Sequence, residues 1–267
     1  MATDEKPSGK ALSKKEGGIG WLIFSSPGRR NAVSVEMTEQ AAKIMEDFAR
    51  DDAVRVVVLR GDGEKDFISG GDISQFNKVH GSATDRAKAN DIRSGAREMV
   101  ATIEKPTIAM IRGYCLGGGL GWALSCDLRI CSVEAKFGIP AARLSIGYGA
   151  DGIKRLMDLV GPSTAKEVLY TARHYTAQEA LRLGLVNQVV PAAELESYTR
   201  SYAEVIANNA PLAILSAKTA INELVKDPAD RNLELAAKRA AAATDSQDHV
   251  EGRKAFMEKR KPVFTGK

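Results

Sequence analysis

The sequence predicts an α/β fold followed by a lobe of helices alone. Three short β-branched or aromatic runs, at 19–24, 54–59 and 107–111, alternate with helical patterns. Strand, helix and strand in alternation imply parallel βαβ units with helices packed on the sheet. From about residue 200 the strand signals stop.

The elements follow in order. Residues 37–48 carry Met37, Ala41, Ile44, Met45 and Phe48 on one helical stripe. A longer helix over 91–103 precedes the third strand, and Pro106 marks its end. A glycine turn at Gly117 opens a short apolar helix over 120–125, then a strand over 128–131. Thr176 and Glu179 form a capping box that starts a helix. Residues 185–190 read as one more strand, Pro191 begins a helix, and helices follow over 211–224, 232–243 and 250–259. The division is a disordered lead-in over 1–18, a core over 19–200 and a helical lobe over 201–267.

Composition narrows the function. The chain has 267 residues, 38 Lys and Arg against 34 Asp and Glu, and a net charge of +4. That balance argues against nucleic acid as a partner, because such affinity comes mostly from phosphate neutralisation. It suits an anionic ligand that meets a local basic patch. No apolar run reaches the roughly 18 to 20 residues a membrane helix needs. The polar N-terminal stretch lacks the apolar centre of a signal peptide, so a cytoplasmic protein is expected. Cys115, Cys126 and Cys131 have no CxxC spacing and read as buried free thiols in a reducing compartment. His80, His174 and His249 are scattered, so no metal site is expected.

Two glycine-rich loops carry the chemistry. The first, 67–73, includes Ser69, Gly70, Gly71, Asp72 and Ile73. The second, 113–119, ends in Gly117, Gly118 and Gly119 between a strand and a helix. Glycines let the backbone approach a ligand and turn N–H groups outward. The helix N-terminus behind Gly118 adds partial positive charge. Two such donors converging on one point make an oxyanion hole. A GGG between strand and helix is also a common tight turn. It is not a GxGxxG after the first strand, which disfavours a dinucleotide fold.

The two loops together, with Ser125-Cys126-Asp127 after the second, resemble the crotonase (enoyl-CoA hydratase/isomerase) superfamily. Asn31-Ala32 after Pro27, Lys105-Pro106-Thr107-Ile108-Ala109, Ala177-Gln178-Glu179-Ala180 with Gly184-Leu185-Val186, and Glu258-Lys259-Arg260-Lys261-Pro262 match in order. The resemblance implies a crotonase-like (ββα)n spiral of two near-perpendicular sheets with a C-terminal helical trimerisation lobe, assembled as a trimer or hexamer. It implies an acyl-CoA thioester substrate, coenzyme A being part of the substrate and no cofactor being held permanently. The oxyanion donors fall on the N–H groups of Gly71 and Gly118. The backbone around Ala32 and Ser69, with Gly70 and Ile73, would face the acyl-CoA, and Arg29, Arg30 or Lys259 its phosphates. The run Lys259-Arg260-Lys261 reads equally as a solvated helix end.

The family's hydratases use two glutamates, and those positions fall on Gly121 and Ala141. Neither exchanges a proton. The loop with Tyr148, Gly152, Ile153 and Leu156 is similar to the methylmalonyl-CoA decarboxylase branch, although that branch's histidine at the first oxyanion position is Gly71 here. Loss of CO₂ generates an enolate without a base, so an oxyanion hole and a proton source suffice. Tyr148 is the candidate to orient the carboxylate or relay the proton, against a buried aromatic with a satisfied hydroxyl. Asp151 is a candidate acid–base for a hydratase or isomerase, against an N-cap of a helix starting at Gly152. Trp122 walls the acyl pocket or fills core, and Ala141, at the second glutamate position, is expected to face the substrate. A non-catalytic homologue kept for assembly or RNA binding is the remaining alternative.

Overall fold

The computed structural model describes residues 9–72 and 83–267. A six-stranded sheet has the order β1-β2-β3-β4-β6-β9, with β1 Lys10–Glu16, β2 Ile19–Ser25, β3 Val56–Gly61, β4 Thr107–Ile111, β6 Leu128–Ser132 and β9 Gln188–Val190. Only the β1–β2 pair in it is antiparallel. A second sheet joins β5 Tyr114–Leu116, β7 Lys136–Gly138 and β8 Tyr175–Thr176.

The central strands are buried on both faces, as parallel strands covered by helices must be. In β3 the alternation is explicit. Val57 and Leu59 enter one core cluster, with Met37, Ala41, Met45 and Phe48 of α1 Val35–Arg50. Val56 and Val58 enter the other, with Leu195 and Ala203 of α6 Leu195–Ala207. A period of two thus feeds two layers from one strand. Complete burial of a side chain such as Phe48 is worth about 1.5–3 kcal/mol. Helix α1 begins where Ser34 accepts a hydrogen bond from the Met37 N–H, as an N-cap side chain does.

The remaining α-helices among the described residues are α2 Ala83–Thr102, α3 Gly118–Leu124, α4 Ala150–Thr171, α5 Ala177–Arg182, α7 Pro211–Leu224, α8 Leu233–Thr244 and α9 Gln247–Met257. Gly161, at φ 75°, breaks α4 into two segments just before Pro162. The capping box at Thr176 and Glu179 is present in both directions. Helix α7 is fastened to the sheet by Lys218, whose Nζ donates to Lys105 O at 2.9 Å and Asp127 Oδ2 at 2.8 Å. Asp127 also accepts the Thr107 N–H at 2.7 Å.

The structure corrects two expectations about organisation. The lead-in expected to be disordered over 1–18 contains β1, whose seven residues pair in register with β2. A polar, lysine-rich strand is stable there because it needs only one neighbour, and Lys15 reaches Asp47 and Asp51 at 2.7 Å each. The boundary expected at residue 200 falls inside α6, which packs on the sheet, so the purely helical part begins with α7.

Candidate active site

The first glycine loop is braced from both sides. Ile68 N–H donates to Tyr114 O at 3.1 Å, and Ile68 O accepts Leu116 N–H at 3.1 Å, so the loop runs beside β5. On its other side, Val33 N–H donates to Gly70 O at 2.9 Å and Asp72 N–H to Val33 O at 3.0 Å. Because the residues on either side of Gly71 hold Val33, the Gly71 N–H faces away from that partner. Buried Asn31 fixes the supporting turn: its amide donates to Asp62 O at 3.0 Å and Asp66 O at 2.9 Å, and accepts the Ser26 N–H at 3.0 Å.

The second loop meets the first backbone to backbone. A Cβ on Gly119 would lie 2.0 Å from Ile68 O, so no side chain fits there. Gly117 adopts φ 52° and ψ −115°, a conformation that glycine tolerates. Its N–H donates to Gly138 O at 2.8 Å, tying the turn to β7. The outcome is a close approach of the two predicted donors: a Cβ on Gly118 would stand 3.5 Å from the Gly71 nitrogen. Among the described residues, neither N–H donates to any acceptor. At the first position of α3, the Gly118 N–H has no intrahelical partner either.

A cleft of about 640 Å³ opens beside Gly118, between α2, α3 and the start of α4. Tyr148 and Asp151 both line it. The Tyr148 hydroxyl donates to Gly117 O at 3.0 Å, beneath the glycine turn. Burial pushes its pKa up, with Arg97 opposing, so it stands in the cleft as a neutral hydroxyl. Asp151 is not the expected N-cap. Gly149 occupies that position, and Asp151 is the second residue of α4, exposed to the cleft. An acidic residue in a first turn suits the helix dipole without a capping bond.

Gly121 lines the same cleft, and a Cβ there would lie 2.6 Å from Arg97 Nη1. A guanidinium from α2 therefore stands where a side chain at 121 would project. Arg97 Nε donates to Arg93 O at 3.1 Å, which steers the rest of the group toward α3. Burial lowers its pKa, Tyr148 and Asp151 raise it and Arg155 lowers it further. It remains a cation, as arginine does in proteins. Sequence reasoning missed this residue. The available signal was a pair of arginines one helical turn apart, Arg93 and Arg97, on the helix before the glycine loop.

The other predicted residues divide. Arg29, Arg30 and Ala32 lie in the turn after β2, against Ser69 and Gly70 of the first loop: Ser69 N–H donates to Arg30 O at 3.1 Å, and Ser69 Oγ to Arg29 O at 3.2 Å. Arg29 pairs with Asp72, and Arg30 lies over the Tyr114 ring at 4.8 Å. Trp122 is buried against Phe24, with ring centroids 4.8 Å apart, and fills core rather than walling the cleft. Ala141 is buried outside the cleft lining, and its carbonyl accepts the Ile146 N–H at 3.0 Å. Lys259 is exposed just past α9, and it too is absent from the cleft lining. Its neighbour Arg260 is held by Glu251 at 2.6 Å and Glu258 at 2.7 Å, which favours the reading as a helix end. Ile73 lies outside the described residues. All three cysteines are buried free thiols, with desolvation pushing Cys126 and Cys131 up to about 12. No described helix is long and apolar enough to cross a membrane.

Two buried strands thus feed two glycine loops that meet backbone to backbone, with Gly118 against the Gly71 nitrogen. The chain belongs to the enoyl-CoA hydratase/isomerase family, whose model matches residues 14–267. It is 35% identical to the short-chain-enoyl-CoA hydratase of Clostridium acetobutylicum, covering 94% of this chain and 95% of that protein. It is 38% identical to a probable mitochondrial enoyl-CoA hydratase 2 of Arabidopsis thaliana, covering 96% and 84%. The structure of an enoyl-CoA hydratase/carnithine racemase from Magnetospirillum magneticum superposes with a TM-score of 0.92 at 33% identity, covering 96% of each chain. The fold is thus that of the crotonases.

Proposed function

We propose that this chain binds an acyl-CoA thioester with its carbonyl oxygen between the N–H groups of Gly71 and Gly118, and acts through the enolate formed there. The observation that carries the reading is the approach of these two donors, neither paired to the protein among the described residues. Donors fixed in advance stabilise developing oxyanion charge without reorganisation. Arg29, Arg30 and Ala32 of the turn after β2, with Ser69 and Gly70 of the first loop, would take the coenzyme portion.

The preferred reaction is decarboxylation of a malonyl-type thioester. The bond from the α-carbon to the carboxylate breaks, its electron pair enters the thioester as an enolate, CO₂ leaves, and a proton returns to the α-carbon. No basic side chain is needed for the first step, which accords with Gly121 and Ala141 in place of acids. Tyr148, a neutral hydroxyl beside the donor pair, is the proton relay. Mass spectrometry of a CoA-thioester panel tests this: a product lighter by CO₂ is expected, and a product heavier by water from crotonyl-CoA at a brisk rate would overturn it.

The relatives' names favour a second reading, an enoyl-CoA hydratase or isomerase with Asp151 as acid–base, since Asp151 lines the cleft. Abolition of hydration by Asp151→Asn alone would establish it. For assembly, the exposed Ile221, Leu224, Val250, Phe256 and Met257 of the C-terminal helices support a trimer or hexamer. Light scattering that gave a monomer mass would remove this part of the proposal.

A further inference from the structure

The cleft holds four charged side chains that bear on its ligand: Arg97, Glu98, Asp151 and Arg155. Arg155 is neutralised by Glu98 at 2.5 Å. Among the described residues Arg97 has no carboxylate within ion-pair distance, and its one hydrogen bond is made through Nε, to Arg93 O. Its Nη atoms retain donor capacity on the side facing Gly121. A partly buried guanidinium with unused donors is matched by a planar anion that can accept two of them.

The position says which part of a ligand that anion belongs to. Gly118 and Gly121 are three residues apart on α3, so they share one face, with about 5–6 Å between side-chain positions at that spacing. At that spacing an acyl group whose thioester oxygen sits at Gly118 would reach Arg97 within about two to four carbons. The absence of a side chain at 121 is what leaves the guanidinium room to stand there.

We infer that Arg97 is a specificity-determining residue that takes the carboxylate of a short dicarboxylic acyl-CoA, in the place where a side chain at 121 would otherwise project. The inference rests on the acyl-CoA reading above and adds the class of acyl group. It excludes neutral short-chain thioesters as the preferred ligands.

The test is calorimetric titration of the whole protein with succinyl-CoA, butyryl-CoA and free CoA, for the wild type, Arg97→Gln and Arg97→Lys. The acyl groups have equal length and differ at the terminal carbon, carboxylate against methyl. The wild type should prefer succinyl-CoA by on the order of tenfold or more, and Arg97→Gln should erase that preference, as expected for a desolvated charge pair. Butyryl-CoA and CoA should bind Arg97→Gln as before, which also shows that the variant is folded. Arg97→Lys should keep part of the preference. Equal binding of the two thioesters by the wild type would overturn the inference and leave the acyl-CoA reading standing. A loss of affinity for CoA itself in Arg97→Gln would also overturn it, by assigning Arg97 to the coenzyme's phosphates. Binding of none of the three would overturn both.

Discussion

The two glycine loops and the wall of the cleft opposite them are built on different principles. In the loops, position is set by main-chain atoms in contact with main-chain atoms: Gly119 against Ile68 O, Val33 against Gly70 O, Gly117 against Gly138 O. In the wall, Arg97, Tyr148 and Asp151 come from α2, a connecting segment and α4, and each has atoms available to a ligand. One region leaves almost no room for a change of residue; the other can be altered by substitution of single side chains. A backbone donor pair of this kind can therefore serve several reactions, with the choice among them made across the cleft.

The comparison breaks most visibly at Gly119. A methyl group 2.0 Å from Ile68 O forces the loops apart, and overpacking of this kind typically costs about 1–3 kcal/mol. Gly119→Ala should lower the denaturation midpoint, and activity should fall by on the order of 10² to 10³, as when one oxyanion donor is displaced. Urea melts and steady-state rates on one preparation check both. A fully active, unshifted variant would mean the loops do not fix the donors.

Restoring an acid to the wall is the next largest effect. Each proton transfer by a positioned side chain contributes roughly 10² to 10⁴ in rate. Gly121→Glu should nevertheless leave crotonyl-CoA hydration low, because the new side chain meets Arg97. Adding Arg97→Ala should raise hydration above that of Gly121→Glu alone. If Gly121→Glu hydrates crotonyl-CoA without that further change, the guanidinium does not occupy the place assigned to it.

Tyr148→Phe removes the bond to Gly117 O, worth about 0.5–1.5 kcal/mol of stability as a net hydrogen bond. Turnover of a malonyl-type thioester should fall further than stability alone explains, by about tenfold or more if the hydroxyl relays the proton. Solvent deuterium exchange at the α-carbon measures that step directly. An unchanged rate would leave Tyr148 as a brace for the glycine turn.

Asp151→Asn should have the smallest effect. An exposed first-turn acid contributes about 0.3–1 kcal/mol through the helix dipole, screened by salt. Its thermal shift should shrink as ionic strength rises, with malonyl turnover unaffected.

The same contrast explains what was legible in the sequence. The β-branched runs around Val58 and Ile108, the stripe from Met37 to Phe48 and the capping box at Thr176 are local patterns, and each element appears where its pattern lies. The glycine loops were readable because close backbone approach demands glycine. Arg97 was not readable, since its role depends on which helix packs beside Gly121. Strand β1 was missed because a lysine-rich edge strand has the composition of a tail; its pairing with β2 and the reach of Lys15 to Asp47 of α1 reveal it. Of the two readings of Asp151, the cap fails because α4 begins at Ala150, two residues before the start at Gly152 that a cap at 151 requires.

The three buried thiols have a practical consequence. With Cys115, Cys126 and Cys131 enclosed and their pKa values raised by desolvation, the native chain presents no reactive sulfur to a maleimide at neutral pH. Gly147 lines the cleft, and a Cβ there would meet nothing within 4 Å. A cysteine introduced at that one position would carry a fluorophore on an otherwise silent background. Its emission would then report, in real time and without turnover, when an acyl chain enters the cleft and when it leaves.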